Sequence, residues 1–495
     1  MKIGFDSDKY LSMQSQKIDE RIKKFGGKLY LEFGGKLFDD FHASRVLPGF
    51  APDNKIKMLQ TLKDKAEIVI VINSNDIAKN KLRADLGITY DADVLRLIDI
   101  FKARGLYVGS IVLSQYDENN EPAKSFQKKI EKLGIKVYHH YYIKGYPSNI
   151  AHIVSDEGYG KNDYIETTRQ LIVVTAPGPG SGKMATCLSQ LYHEYKRGVK
   201  AGYAKYETFP IWSIPLNHPV NIAYEAATAD LNDVNMIDPW HLNAYNEVAV
   251  NYNRDVEIFP VLNALFEKLM GTSPYKSPTD MGVNMAGFAI CDDEVCCEAS
   301  KQEVIRRYLT AVEEERKGNA KTEEVEKISI LMDKLSITVN DRKVTKVAKE
   351  VSEAKKLPIA AIELDDGRII TGKGSNFMHC SASMVLNALK ALSGIDDSVD
   401  LISSNAITPI QTLKIDYLGS KNPKLHLNEI LVALSITAAT DPVARKAMQS
   451  LKRLKDCDCH TSVILSSVDR NALRKLGVNV TSEPVYSTKD NVITK

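Results

Sequence analysis

The sequence predicts an α/β protein built on a parallel Rossmann-like or P-loop-like sheet, with a helical insertion and a second, smaller α/β domain. Three observations carry this reading. Apolar strand candidates alternate with helix-length amphipathic segments through the first half, the pattern of βαβ units and of a sheet covered on both faces. A strand, a glycine-rich turn and a helix follow one another between Leu171 and Lys196. At 495 residues the chain is also longer than one hydrophobic core normally supports.

Near the N-terminus, Phe25-Gly-Gly-Lys-Leu-Tyr30 is echoed by Phe33-Gly-Gly-Lys-Leu-Phe38, so two glycine turns bracket a short strand around Leu29 to Phe33. This is a local echo, not a repeat architecture. Periodicity then predicts strands over Glu67 to Asn73, Tyr107 to Ser114, Ile135 to Tyr142 and Gln170 to Thr175. Helices near Lys55 to Ala66, Ala92 to Arg104 and Pro122 to Leu133 separate them. Residues 215–271 carry more Asn, Tyr and helix signals than strand signals, which predicts a helical insertion within a first domain of residues 1–297. The charge-rich stretch 298–336, including Glu313-Glu-Glu-Arg-Lys317, reads as solvated helix faces joining two halves. A smaller α/β domain occupies 337–495. There Asp366-Gly367 turns a strand pair between Pro358 and Thr371, helices run near Ala382 to Leu392 and Asn428 to Ala438, and a late strand is expected near Ser462 to Ser466.

Charge excludes some partners. Lys and Arg number 65 against 63 Asp and Glu, a net +2, which gives no field to attract nucleic acid or an anionic membrane. The start is charged and lacks a secretory apolar core, and no apolar run approaches the roughly 20 residues that span a bilayer. Seven cysteines without a regular framework suit a reducing compartment. The expectation is a cytoplasmic protein acting on a small molecule, with homo-oligomerisation left open.

The chemistry concentrates at Ala176-Pro-Gly-Pro-Gly-Ser-Gly-Lys183. Gly178, Gly180 and Gly182 let backbone N–H groups approach a phosphate, Ser181 adds a hydroxyl, Lys183 a cation, and the helix that follows its positive dipole end. A P-loop wants glycine five residues before the Gly-Lys pair and Ser or Thr directly after it. Those places hold Pro177 and Met184, so the hydroxyl that holds Mg²⁺ is missing, and Thr186 would replace it only with altered geometry.

A nucleoside phosphate also needs carboxylates for Mg²⁺ and a proton carrier. Gly287-Phe-Ala-Ile-Cys-Asp292-Asp293-Glu294 resembles the strand-plus-Asp element that holds Mg²⁺, although these acids also suit the first turn of a helix. Asp230, Asp233 and His241 form a second polar group; Asp238-Pro239, between them, reads as a helix N-cap and N1. In this scheme Lys183 neutralises phosphate charge, Asp292 and Asp293 or the Asp230/Asp233 pair hold Mg²⁺, and His241 is the acid or base. Cys291, Cys296, Cys297 and the Cys457/Cys459/His460 group lack zinc-site spacing. His379-Cys380 reads as a packed cysteine, with Ser375 or Asn376 as a simple N-cap.

Four stretches together resemble one bacterial family of conserved hypothetical proteins known as a domain of unknown function: Lys28-Leu-Tyr-Leu-Glu-Phe-Gly-Gly-Lys36, Val174-Thr-Ala-Pro-Gly-Pro-Gly-Ser-Gly-Lys183, Ala223-Tyr-Glu-Ala-Ala-Thr-Ala-Asp230 and Ser277-Pro-Thr-Asp-Met-Gly-Val-Asn284. The resemblance covers essentially the whole chain and implies no reaction. The order of glycine-lysine loop, Asp230-Leu-Asn-Asp233 segment and His241 is similar to that of formate–tetrahydrofolate ligase. The expectation is a transferase or ligase that uses ATP or another nucleotide with Mg²⁺. The alternatives are a Rossmann-like enzyme using a nucleotide sugar, coenzyme A or a phosphorylated metabolite, and a non-catalytic nucleotide sensor.

Overall fold

The computed structural model describes residues 2–35, 37–38, 40–83, 86–231 and 233–487, and the chain divides into two compact units, residues 2–300 and 301–495. The first unit is organised by seven strands: β1 (Leu29–Phe33), β2 (Ala66–Asn73), β3 (Tyr107–Ser114), β4 (Lys136–His139), β5 (Leu171–Thr175), β6 (Gly202–Tyr206) and β7 (Gly282–Val283). They lie in the order β7-β6-β1-β5-β2-β3-β4, and every neighbouring pair is parallel. β1, β2 and β5 are buried along their whole length, as near-continuous apolar strands must be when both faces are covered.

The covering helices include α1 (Ser7–Lys24), α2 (Tyr90–Ala103), α3 (Glu121–Lys132) and α4 (Lys183–Lys196). α1 starts where Asp6 accepts the Lys9 N–H, and it turns Tyr10, Gln14, Ile18 and Ile22 inward at a four-residue spacing. The insertion contains α5 (Pro219–Ala227), α6 (Pro239–Tyr245) and α7 (Asn253–Met270), with an antiparallel ribbon pairing Asn235–Ile237 to Val250–Tyr252. Asp238 caps α6 through the Trp240 and His241 N–H groups, as its place before Pro239 indicated.

β6 and β7 have no counterpart in the sequence reading. Gly202-Tyr-Ala-Lys-Tyr206 mixes glycine and lysine into the strand, and burial overrides their weak strand preference. Gly202 is required there, since a Cβ would lie 2.0 Å from Cγ of Phe25.

Strand order fixes where a ligand can sit. From β1 the chain moves toward β2, and from β5 it moves back past β1 to β6. The carboxyl ends of the neighbours β1 and β5 therefore mark a switch point, where open α/β sheets leave a crevice. The glycine loop is the segment that leaves β5.

α8 (Asp293–Arg316) and α9 (Thr322–Lys334) occupy the charge-rich stretch. The second unit holds β8 (Ile359–Glu363), β9 (Ile369–Lys373), β10 (Asp458–Thr461) and β11 (Asn479–Ser482) in the order β9-β8-β10-β11. β8 is antiparallel to both neighbours, and β10 runs parallel to β11. Around this sheet lie α10 (Lys343–Lys355), α11 (Cys380–Ser393), α12 (Leu427–Thr440), α13 (Pro442–Gln449) and α14 (Ser467–Lys475). The hairpin turns at Asp366-Gly367, with Gly367 at φ 82°. The late strand is Asp458–Thr461 instead of Ser462 to Ser466, because the polar run Asp-Cys-His-Thr is the part that pairs along Ala360–Glu363. The cap of α11 is His379, not Ser375 or Asn376; Ser375 Oγ accepts the Phe377 and Met378 N–H groups in the preceding turn.

Candidate functional site at the switch point

The loop from Ala176 to Gly182 is tied down through its acceptors. Ser114 Oγ donates to the Ser181 carbonyl at 2.7 Å, and Ser181 Oγ donates to the Gly178 carbonyl at 2.8 Å. Gly178 is fixed by contact, because a Cβ there would stand 2.2 Å from the Tyr90 hydroxyl; Gly180 and Gly182 take φ of 75° and 92°. The donors stay unused. Gly182 offers no capping side chain to α4, and among the described residues the N–H groups from Gly180 to Ala185 meet no protein acceptor. α1, α3 and α6 each have an Asp or Asn at this position. An uncapped helix start with successive free N–H groups is able to receive an anion.

The residues around the turn define what it can hold. Lys183 is half-buried and has no carboxylate partner among the described residues. Met184 packs against the core, and Thr186 is buried with Oγ1 3.4 Å from Nδ1 of His140. Burial pushes His140 down to about 3, so its ring is neutral. Thr186 is therefore turned inward, away from the place a magnesium-binding hydroxyl would take.

Beside the loop, the ends of β1 and β6 carry a buried ionic cluster that the sequence reading missed. Lys205 Nζ lies 3.0 Å from Glu207 Oε1 and also bonds Asp255 and the Tyr252 hydroxyl. Glu32 accepts the Tyr203 hydroxyl at 2.7 Å and acts electrostatically on Lys205. Glu32 lies in register with Val174 of β5, and it and Lys183 both act on the Cys187 thiol in α4. Glu207 and Asp255 thus share one ammonium, with Glu32 adding its field. Burial lowers the charge-bearing tendency of Lys205, but Asp255, Tyr252, Glu207 and Glu32 outweigh it and hold the ammonium well above its ordinary value. Burial raises Glu207 to about 7 against the pull of Lys205, with Asp255 adding to the rise. A buried carboxyl near 7 can give or take a proton at physiological pH.

The sequence-selected acids are dispersed. Asp233 is buried and held by Arg254 at 2.6 Å, and through Tyr224 it borders the Lys205 cluster. Asp230 is exposed on a one-turn 3-10 helix. His241 is buried with Nδ1 2.9 Å from Ser277 Oγ, between Trp212 and Tyr245. Asp292 and Asp293 are exposed; Asp292 accepts the Val295 N–H and Asp293 faces His218 Nε2 at 3.0 Å. No hydrogen bond or ion pair joins either of these two to the glycine loop among the described residues. Depressions lined by Trp240, Asn243 and Asn263, and by Lys136, Tyr138 and Arg197, include no loop residue.

Two clusters combine metal-ligand side chains. In the first, His218, Asp293 and Cys297, the His218 Nδ1 accepts the Val220 N–H, which places the ring proton on Nε2, the atom that faces the other two. In the second, His379, His426 and Asp469, the imidazoles stack at 4.6 Å with planes 13° apart. An ion cannot lie in the planes of two stacked rings, as imidazole ligation requires. In the first cluster the side chains are held by hydrogen bonds to one another. All seven cysteines are free thiols, and burial pushes Cys380 up to about 12, in keeping with a packed side chain. Among the described residues no helix is long and apolar enough to cross a membrane.

Comparison with known proteins covers the whole chain. The domain of unknown function DUF1846, N-terminal, matches residues 3–336, and its C-terminal counterpart matches residues 340–491. A UPF0371 protein of Corynebacterium efficiens is 58% identical over 489 residues, 99% of each chain. One of Corynebacterium diphtheriae is 59% identical over 484 residues, 98% of this chain and 97% of the relative. One of Streptococcus pyogenes is 56% identical over 485 residues, 98% of each. The chain belongs to the DUF1846 family and spans both of its domains.

Proposed function

We propose that this protein is an enzyme that binds a phosphate-bearing small molecule at residues 178–183 and moves a proton through Glu207. The observation that carries the reading is the run of N–H groups from Gly180 to Ala185 without acceptors at the carboxyl end of β5, with the buried acid Glu207 at the end of β6, two strands away in the same sheet. Lys183 neutralises phosphate charge, Glu207 is the acid or base, and burial, opposed by Lys205, sets its proton affinity. A nucleotide, a nucleotide sugar, coenzyme A and a phosphorylated metabolite share the required group. Met184 and the inward turn of Thr186 favour a phosphate held by backbone and lysine over Mg-ATP positioned by a hydroxyl, and so favour group binding with acid–base chemistry over phosphoryl transfer.

A thermal-shift panel of ATP with and without Mg²⁺, a nucleotide sugar, coenzyme A and pyrophosphate tests this. A ligand at about a hundred times its Kd adds about 2.7 kcal/mol. Stabilisation of wild type that is lost in Lys183→Ala is the expected result. Equal stabilisation of both proteins, or of neither, contradicts it. Tight binding without turnover of any ligand class contradicts the enzymatic half and leaves a sensor.

A further inference from the structure

We infer that the outward face of α12 is the contact of an isologous homodimer, in which α12 packs antiparallel on the same helix of a second copy. Its sequence, Leu-Asn-Glu-Ile-Leu-Val-Ala-Leu-Ser-Ile-Thr-Ala-Ala-Thr, carries large apolar residues on its outer face as well as its inner one, beyond the single stripe that packing on the core requires. Leu427, Ile430, Ala433, Leu434 and Ala438 face the core. The opposite stripe, Val432, Ser435, Ile436 and Ala439, faces outward, with Val432 58% and Ile436 65% exposed.

The occupant follows from the order of the stripe. Its residues alternate large, small, large, small at helical spacing. Reversing the helix about a two-fold axis between positions 435 and 436 sets Val432 against Ala439 of the partner subunit, and Ser435 against Ile436 of the partner subunit. Every large side chain then meets a small one, the interlocking that a helix pair needs. A different partner would not require this palindromic arrangement. The stripe carries no charge to meet its own copy: Glu429, the helix's one ionisable group, is held by the His426 N–H at 2.6 Å and by Lys414 at 3.0 Å.

The exposed area is sufficient. The segment after the helix Ser404–Thr412, which packs against α12, adds Leu413, Tyr417 and Leu418, exposed by 50%, 78% and 73%. Lys414 of this segment bonds Glu429 of α12, and with Val432 and Ile436 these side chains expose an apolar area on the order of several hundred Å², the upper end of what a monomer leaves open and a large part of the roughly 800 Å² per partner of a stable interface.

Sedimentation velocity on the full chain tests the proposal, with melting curves as the folding control. Wild type sediments as a dimer, and Ile436→Glu as a monomer that still melts in one cooperative transition, because position 436 lies outside the core. Oxidative cross-linking fixes the geometry without a destabilising charge: in a Cys291→Ser background, Val432→Cys combined with Ala439→Cys links two chains, and neither substitution alone does. A monomeric wild type, a dimeric Ile436→Glu, or cross-linking by a single substitution as efficient as by the pair overturns the proposal.

Discussion

Glu207 stands 3.0 Å from the Lys205 ammonium without owning it, because Asp255 bonds the same nitrogen. Two buried carboxyls and one ammonium leave room for a proton, and the carboxyl raised to about 7 is Glu207.

The sign of the resulting pH dependence is fixed. Glu207 binds its proton more tightly folded than unfolded, so its contribution to stability is fully present below pH 4.5 and is lost as pH rises through about 7. The size is about 3 kcal/mol at most. Denaturant titrations between these limits should show wild type losing stability as pH rises, and Glu207→Gln losing markedly less. Parallel pH profiles for the two proteins would remove Glu207 as the titrating group.

Gly178 and Gly180 make different demands. A Cβ at 178 meets the Tyr90 hydroxyl at 2.2 Å, whereas one at 180 meets nothing within 4 Å and is opposed only by φ 75°. Gly178→Ala should cost about 1–3 kcal/mol through overpacking, and Gly180→Ala about 1 kcal/mol through backbone strain. Combining Gly178→Ala with Tyr90→Ala should cost less than the two separate losses added, which a double-mutant cycle in urea measures. Strict additivity would contradict the contact.

In the second unit, Asp469 ties two helix starts together, those of α12 and α14. It accepts the Leu427 N–H at 2.7 Å and the Ser466 hydroxyl at 2.9 Å, and lies 3.0 Å from His426 Nδ1. Burial alone would raise its pKa, but the His426 ring and the Leu427 N–H hold it below the ordinary carboxylate value. Its stabilisation is therefore present above the ordinary carboxylate pKa and fades as pH falls through the depressed value. Asp469→Ala should cost about 3 kcal/mol, since it strands buried donors. A change below about 0.5 kcal/mol, the range of ordinary surface substitutions, would refute this role.

Much of the first unit was legible because β2, β3 and β5 are long apolar runs that need no context. β6 was hidden by Lys205, whose partner Asp255 lies fifty positions on and meets it only when α7 docks. Glu32 did leave a signal: a lone acid at the carboxyl end of Leu-Tyr-Leu-Glu-Phe, inside a wholly buried strand. Such a residue must be paired or functional. The glycine loop was readable by type and spacing, but the inward turn of Thr186 was not, since it depends on His140 arriving from the end of β4. His241, selected for its neighbours in sequence, packs instead with Ser277 and Trp212.

Amide hydrogen exchange at residues 176–188 tests the central claim most directly, with pyrophosphate as the probe. The N–H groups from Gly180 to Ala185 should gain protection on adding pyrophosphate to wild type and gain none in Lys183→Ala. Protection that appears elsewhere in the chain, or that survives unchanged in Lys183→Ala, would contradict a phosphate site at this loop.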